Sequence, residues 1–179
     1  MCIRDSCKSA SCYCVLFRNN VIELVRIPTE KVNDAWHMVS KNIADALARS
    51  NGYARAEHIK GWILQNKMQL WILWDSQDKK YYGVVVTEII QRPLQRCLNI
   101  KIMTGNHREK WQHLIKQVED FAWQNNCDLL ELVARPGWKR VLKPFGFKES
   151  HVLLEKHNKQ RERNPLDINF NFDEWGKNF

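Results

Sequence analysis

Three consecutive segments rich in β-branched and aromatic residues limit most strongly what this chain can fold into. They are MQLWILW at 68–74, YYGVVVTEII at 81–90 and RCLNIKIM at 96–103. The connections between them, DSQDKK and QRPLQ, are short and polar. Short turns join antiparallel strands, whereas parallel strands need a long crossover. The sequence therefore predicts an antiparallel meander of three strands in the middle of the chain.

The residues before the meander predict one further strand and two helices. VIELVRI at 21–27 alternates apolar and polar residues as a strand does. A long helical pattern follows and ends at SNG, 50–52. Its apolar positions are Val32, Ala35, Trp36, Val39, Ile43, Ala46 and Leu47. A shorter helix is predicted next, with Ile59, Trp62 and Ile63 on one face.

The residues after the meander predict a second long helix and a group of short elements. The apolar face of the helix consists of Trp111, Leu114, Ile115, Val118, Phe121 and Ala122. Asn106 is predicted to cap this helix, with Glu109 three positions later completing a capping box. LLELVA at 129–134 predicts a short buried strand, a basic helix follows it, and HVLLEK at 151–156 predicts the last strand.

Length and charge bound the class of protein. A domain takes on the order of 150 residues, so we expect one body at 17–157 in this chain of 179 residues. Residues 1–16 are expected to be non-native or disordered, and 158–179 to form a polar tail. The net charge of +8 suits phosphate-bearing partners, but no recognition motif supports binding to nucleic acid. No apolar run is long enough to cross a bilayer, so we predict a cytoplasmic protein.

The cysteines and histidines do not form a recognisable metal-binding pattern. Cys2, Cys7, Cys12 and Cys14 crowd the first residues at spacings that match no zinc site. His107 and His113 are too far apart to form a ligand pair on one face. We therefore expect no metal.

The order of these elements resembles the GNAT acyltransferase superfamily over roughly residues 20–156. The most specific part is LLELVARPGWKRVLKPFGFKESHVLLEK, which is similar to the strand, helix, Gly-Phe turn and closing strand of that family. The combination of TG at 104–105, a Trp a few residues later and RPGW at 135–138 is similar to GNAT-like proteins carried by bacteriophages.

The resemblance implies a fold, a cosubstrate and a set of binding residues. The fold is α/β, with a mixed and mainly antiparallel sheet that is flanked by helices and splays between 98–103 and 129–134. Acetyl-CoA enters the resulting cleft and gives its acyl group to an amine acceptor. The implied contacts are the strand residues Ile100, Lys101, Ile102 and Met103, the loop residues Gly105, Asn106, His107, Arg108, Glu109 and Lys110, and the cations Arg135, Lys139 and Arg140.

Two functions stay open on the sequence alone. The glycines of the family's pyrophosphate loop correspond to His107 and Glu109 here, and the tyrosine that acts as acid in many members corresponds to Leu142. An acid inside an apolar strand either faces solvent or lies near a cleft, so Glu88 is the candidate base. The chain is thus either an N-acyltransferase or a non-catalytic GNAT-like phage structural or host-interaction protein with a degenerate loop.

The tail carries a pattern of its own. After Pro165, apolar residues alternate with polar ones over 166–172. The apolar members are Leu166, Ile168, Phe170 and Phe172. Alternation with period two is typical of a strand, so the tail is predicted to add to a sheet edge of a partner protein or of a second copy.

Overall fold

The fold is built on one five-stranded sheet. A computed structural model describes residues 22–50, 53–154 and 156. The strands are β1 (Ile22–Ile27), β2 (Gln69–Asp75), β3 (Lys80–Arg92), β4 (Gln95–Gly105) and β5 (Leu129–Leu132). They lie in the order β1-β2-β3-β4-β5, with antiparallel pairing as far as β4 and a parallel β4–β5 pair. The predicted meander and the mixed, mainly antiparallel sheet are confirmed.

Five α-helices fall within the described ranges. They are α1 (Val32–Ala48), α2 (Ala56–Leu64), α3 (Arg108–Trp111), α4 (Ile115–Gln124) and α5 (Gly137–Leu142). Short 3₁₀ turns lie at Thr29–Lys31, Gln112–Leu114 and Lys143–Phe145. The two helices predicted before the meander are confirmed, because α1 and α2 bury Val39, Ile43, Ile59 and Ile63 at the expected spacing.

The long helix predicted after the meander is interrupted. α3 makes a single turn, a 3₁₀ turn follows, and only then does α4 begin. The predicted Asn106 cap is wrong, because His107 in the left-handed conformation, at φ 51°, precedes the helix and no side chain caps it. Asn106 is held through its main chain instead: its N–H donates to the Tyr82 carbonyl at 2.8 Å. Its own carbonyl accepts from Trp111 Nε1 at 2.7 Å.

The sheet separates two apolar layers. On one side, which we call the α1/α2 face, the core includes Val39, Ile43, Ile59, Ile63, Leu70, Ile72, Val84, Val86 and Ile102. On the other side, the α4 face, the core includes Trp71, Leu73, Val85, Leu98, Ile100, Trp111, Val118, Ala122 and Leu142. Side chains of α1 and α2 thus cover one side of the sheet, and those of α3, α4 and α5 cover the other.

β4 contains a β-bulge. Val86 of β3 pairs with Ile102, but the next residue of β3, Thr87, pairs with Ile100. Lys101 is therefore an extra residue with no partner of its own in β3. Bulges bend a strand and turn a side chain in a new direction, and they are frequent beside active sites. Here the bulge puts Ile100 in the core of the α4 face and Ile102 in the core of the α1/α2 face.

β4 and β5 pair over only part of their possible length. Their register ends at Ile100 opposite Leu132, where β5 stops. β4 continues to Gly105, and within the described ranges no strand pairs with that side of its second half. The segments 98–103 and 129–134 therefore do not pair along their full length, as the predicted divergence requires, while the divergence itself stays a prediction.

The strand predicted at 151–156 is wrong over residues 151–154, which adopt no regular structure. A left-handed Gly146, at φ 85°, makes the expected Gly-Phe turn, and the compact unit that holds the sheet ends at Phe147. The run Val152 to Leu154 is apolar enough for a strand but is exposed. An apolar run becomes a strand only when a neighbouring strand satisfies its backbone groups.

Some expectations concern residues outside the described ranges. The N-terminal segment 1–16 and the polar tail 158–179, with its alternating pattern, both lie there. The boundaries proposed for the body, 17–157, likewise stay a prediction.

Candidate functional site

A cationic groove lies between the start of α3 and helix α5, just beyond the end of β4. It is open to solvent and has a volume of about 780 Å³. The lining residues are Arg108, Gln112, Arg135, Gly137, Trp138, Arg140, Val141 and Pro144. The guanidinium carbon of Arg108 lies 5.9 Å from the centre of the Trp138 ring. Three arginines in one groove suit a phosphate ligand, since the planar guanidinium matches the geometry of phosphate oxygens.

The loop between β4 and α3 is tied to the neighbouring strand β3. A Cβ on Gly105 would lie 2.5 Å from the Tyr82 carbonyl oxygen and 2.9 Å from Gly83 Cα. The absence of a side chain at Gly105 therefore serves the close approach of the two strands. The Asn106 N–H is bonded to Tyr82 and is not available to a ligand. The first hydrogen bond of the helix runs from the Lys110 N–H to the His107 carbonyl. The N–H groups before Lys110 are therefore the donors that remain at this helix start.

The predicted binding residues do not all meet in the groove. Arg108, Arg135 and Arg140 line it. Lys139 on α5 does not, and Lys110 lies with its Nζ 6.0 Å from the centre of the Tyr82 ring. Instead of completing a capping box, Glu109 lies with its Oε1 3.7 Å from His107 Nδ1, and both side chains are largely exposed.

A row of polar residues crosses β3, β4 and β5 next to the point where the pairing of β4 with β5 ends. Glu88 pairs with Asn99, and Asn99 pairs with Glu131. Because Leu98 and Ile100 point into the α4 face, alternation places the row on the α1/α2 face. The Oε2 of Glu88 lies 2.8 Å from the Nζ of Lys101, the bulge residue. The bulge thus brings a cation to the sequence-predicted base.

Glu131 is the centre of a hydrogen-bond network at the β5 end of the row. Its Oε1 accepts from Arg92 Nη2 at 2.7 Å, from Asn99 Nδ2 at 2.9 Å and from Cys97 Sγ at 3.7 Å. Partial burial acts to raise the pKa of Glu131, but the bonds from Asn99 and Arg92 outweigh it and lower the pKa below its ordinary value. Glu131 is therefore a carboxylate at neutral pH.

Sequence reasoning missed Glu131, Asn99 and Arg92. The signal that singled out Glu88, an acid inside an apolar strand, applies equally to Glu131 in LLEL. Applying it there would have found the carboxylate. Arg92 lies on a turn in the sequence, so its reach across to β5 had no local signal.

Tyr53, in the connection between α1 and α2, adds a phenol near the row. Burial of part of its ring raises the pKa of Tyr53, the charge of Lys101 opposes this, and the charge of Glu88 reinforces it. The side chain is still 56% exposed. The phenol is therefore protonated at neutral pH and can donate a hydrogen bond.

Two further properties concern the described part of the chain. Within it, His, Cys, Asp and Glu side chains form no group of three that could hold a metal ion. None of the described helices combines the length and the apolar character that crossing a bilayer requires.

No protein-family model and no curated protein matches the chain. Solved structures do match it. One is a predicted acetyltransferase with acetyl-CoA from Clostridium acetobutylicum, with TM-score 0.56 and 14% identity, covering 76% of this chain and 96% of that one. Another is an aminoglycoside acetyltransferase from an uncultured soil sample, in complex with trehalose, with TM-score 0.57 and 13% identity, covering 78% and 98%. A third is an acetyltransferase of Trypanosoma brucei, with TM-score 0.56 and 10% identity, covering 76% and 99%.

The chain has the GNAT acetyltransferase fold. The match to each of these structures covers at least 96% of the solved chain. Because the sequence identities are only 10–14%, these matches show that the fold is shared and nothing more. In this GNAT fold, the cationic groove lies at one end of the unpaired half of β4, and the polar row lies at the other end.

Proposed function

We propose that the chain is an acyl-CoA-dependent N-acyltransferase that moves the acetyl group of acetyl-CoA to an amine. The observation that carries the proposal is the groove with Arg108, Arg135 and Arg140 at the end of a half-paired β4. The groove would bind the phosphates of acetyl-CoA, and the unpaired half of β4 would bind its peptide-like arm.

The arginines would hold the phosphates of the cosubstrate. Hydrogen bonds between guanidinium groups and phosphate oxygens are charge-assisted and about twice as strong as neutral ones. The N–H groups of His107, Arg108 and Glu109, ahead of the first helical bond, are further donors for the same oxygens. Trp138 supplies an apolar surface in the same groove.

The second half of β4 would hold the pantetheine arm. No described strand pairs with this side of residues 101–103, so their backbone groups on that side are available to the two amides of the arm. Such pairing is the added-strand mode of recognition. It would lead the arm from the groove to the divergence point at Ile100 and Leu132, next to the polar row.

The polar row would carry the chemistry. The amine nitrogen attacks the thioester carbonyl, the C–N bond forms and the C–S bond breaks. Glu88 is the proposed base that receives the proton of the amine, and Tyr53 is the proposed acid that gives a proton to the departing thiolate. Lys101 would orient the Glu88 carboxylate through their ion pair.

Isothermal calorimetry with acetyl-CoA tests the proposal. The wild-type chain should bind it, and the double variant R108A/R135A should bind it more weakly by roughly tenfold or more, since each lost charged hydrogen bond is worth about 1.5–3 kcal/mol. The variant K41A/R49A removes the same charge from exposed positions on α1 and directly after it and is the matched control. Absence of acetyl-CoA binding by the wild-type chain would contradict the proposal.

A second candidate function is a GNAT-fold protein without catalysis. It is favoured by one observation: the helix that should receive the pyrophosphate begins with a left-handed His107 and carries Glu109 in its first turn. A carboxylate there competes with a phosphate for the same positive end of the helix. Failure to bind acetyl-CoA in the calorimetry above would favour this second function over the transferase. A phage origin and a cytoplasmic location stay predictions from the sequence.

A further inference from the structure

The polar row is electrically balanced, and this bears on the acceptor that the proposed transferase would use. Two carboxylates and two cations meet there, and each carboxylate already holds one cation: Glu88 pairs with Lys101 at 2.8 Å, and Glu131 pairs with Arg92 at 2.7 Å. A polycationic acceptor needs carboxylates that are not yet neutralised. The net charge of +8 on the chain also disfavours the approach of a polycation.

Arg92 retains donors for an anionic group. One of its nitrogens, Nη2, is bonded to Glu131, and 43% of its side chain is exposed. A guanidinium has five N–H donors in a planar fork. Its remaining edge can therefore receive a carboxylate through two parallel hydrogen bonds.

Glu131 retains an oxygen for a cationic group beside that edge. Its three hydrogen bonds, from Arg92, Asn99 and Cys97, all end on Oε1. Oε2 is thus left for a further donor, and the lowered pKa of Glu131 keeps it an acceptor at neutral pH. Oε2 and the Arg92 fork together present a negative and a positive group side by side.

The position of this pair fits an acceptor that must reach the thioester. Glu131 lies one residue before Leu132, where β4 and β5 diverge, and one residue in a strand advances about 3.3 Å. An ammonium at Glu131 is therefore near the opening through which the pantetheine arm would arrive. Glu88 lies in the same row on the far side of Asn99, two strand spacings or about 10 Å away between backbones, and would receive the proton of the amine through a bridging water.

We propose that the acceptor is an amine that carries its own carboxylate, as an amino acid does, with Arg92 binding the carboxylate and Glu131 binding the amine. The inference rests on the proposed function and specifies its second substrate class. Among the solved structures that share the fold are aminoglycoside acetyltransferases. The paired charges of the row favour a different class of acceptor here.

Acetyl transfer to matched acceptors tests the inference, with mass spectrometry of the acetylated product as the readout. The panel is glycine and β-alanine, their amides, which lack the carboxylate, and spermidine and an aminoglycoside as polycations. The wild-type chain should use the amino acids at least about tenfold better in kcat/KM than their amides, the ratio expected from one bidentate charged contact. R92A should raise KM for the amino acids, leave KM for the amides unchanged and so remove the ratio.

R92K and R49A are the controls. R92K keeps the charge but loses the fork, and should restore only part of the preference. R49A removes an arginine at the exposed end of α1 and should leave the preference intact. Acetyl-CoA binding, measured on each variant, shows whether the cosubstrate site is still formed.

The outcomes separate this inference from the function on which it rests. Efficient transfer to polycations or to the amides, or a preference for amino acids that R92A does not change, overturns the inference and leaves the transferase proposal standing. Acetyl-CoA binding with no transfer to any member of the panel also overturns it. Failure of the wild-type chain to bind acetyl-CoA overturns both.

Discussion

The side chain of Glu88 forms an ion pair with Lys101, the extra residue of the bulge in β4. Lys101 Nζ is 2.8 Å from the Glu88 carboxylate, and each side chain is 27% exposed. The cost of removing two partly buried charges from water offsets much of their attraction. The arrangement therefore matters more for the direction in which the carboxylate points than for the free energy of unfolding.

If Glu88 is the base, its replacement by glutamine should act on the chemical step. We expect E88Q to lower kcat by about 10²–10⁴-fold, the usual contribution of a positioned acid or base, with little change in acetyl-CoA affinity. Steady-state kinetics and calorimetry on the same preparation measure the two effects. E23Q, at an exposed position of β1, is the matched control, and an unchanged kcat in E88Q would remove Glu88 from the mechanism.

Glu131 should make stability depend on pH. Because its pKa is lowered in the folded chain, it contributes stability above the ordinary glutamate pKa of about 4.3. That stability is lost as the pH falls through the lower pKa of the folded state. E131Q should therefore differ most from the wild-type chain at neutral pH and least in acid.

Urea denaturation at several pH values measures this difference. The gap in free energy of unfolding between the wild-type chain and E131Q should shrink on acidification, whereas that for E23Q should stay nearly constant. A gap for E131Q that does not vary with pH would mean that the network around its carboxylate is not formed.

At the scale of the elements, a pair of glycines allows β3 and β4 to approach closely. Gly83 and Gly105 are paired, and a Cβ on either would lie within 3.0 Å of the opposite backbone. G105A should therefore destabilise the chain by about 1–3 kcal/mol, as overpacking does. G137A in α5, where a Cβ would meet nothing within 4 Å, should be neutral or slightly stabilising. Thermal melting compares the two, and an equal effect would contradict the close approach.

The sequence predicted the order of the elements well because strong alternation and helical spacing mark them. It could not locate the bulge. Leu98, Ile100 and Ile102 are spaced as in a regular strand with one apolar face, yet the extra Lys101 sends Ile102 to the other side of the sheet. Only the register with β3 shows this, and register is a relation between two segments.

The break of the long helix, like the bulge, could not be read from the local sequence pattern. Its apolar residues keep a helical spacing through Trp111 and Leu114, so the pattern predicts one element. The interruption lies at Trp111, whose backbone leaves the helical conformation at φ −128° and whose Nε1 donates to the Asn106 carbonyl of the loop. The arginines of the groove were predicted from the family resemblance, which short local motifs carry, whereas the Glu131 network joins residues from three strands.

At the scale of the whole molecule, the tail remains the main unexplained segment of the sequence. Its alternating stretch at 166–172 is predicted to add as a strand to an exposed sheet edge. Deletion of residues 164–179 should then lower the oligomeric state or remove a partner, while the melting temperature of the monomer stays the same. Light scattering and melting measure both, and no change in either, with no partner lost, would show that the tail has no such role.

Because of the bulge, deletion of a single codon, that of Lys101, should disrupt the proposed site and leave the fold intact. If Lys101 is deleted in frame, Thr87 can still face Ile100 and Val86 can still face Ile102, so every remaining side chain of β4 keeps its present side. Deleting Ile100 or Ile102 instead would also remove the bulge, but Lys101 would then take the place of the deleted isoleucine and bring its charge into one of the two apolar cores. A chain without Lys101 should therefore melt cooperatively near the wild-type temperature and transfer acetyl groups poorly. If the chain is a transferase, a descendant could lose the activity by this single deletion and still keep the fold, a route by which a transferase could become a binding protein.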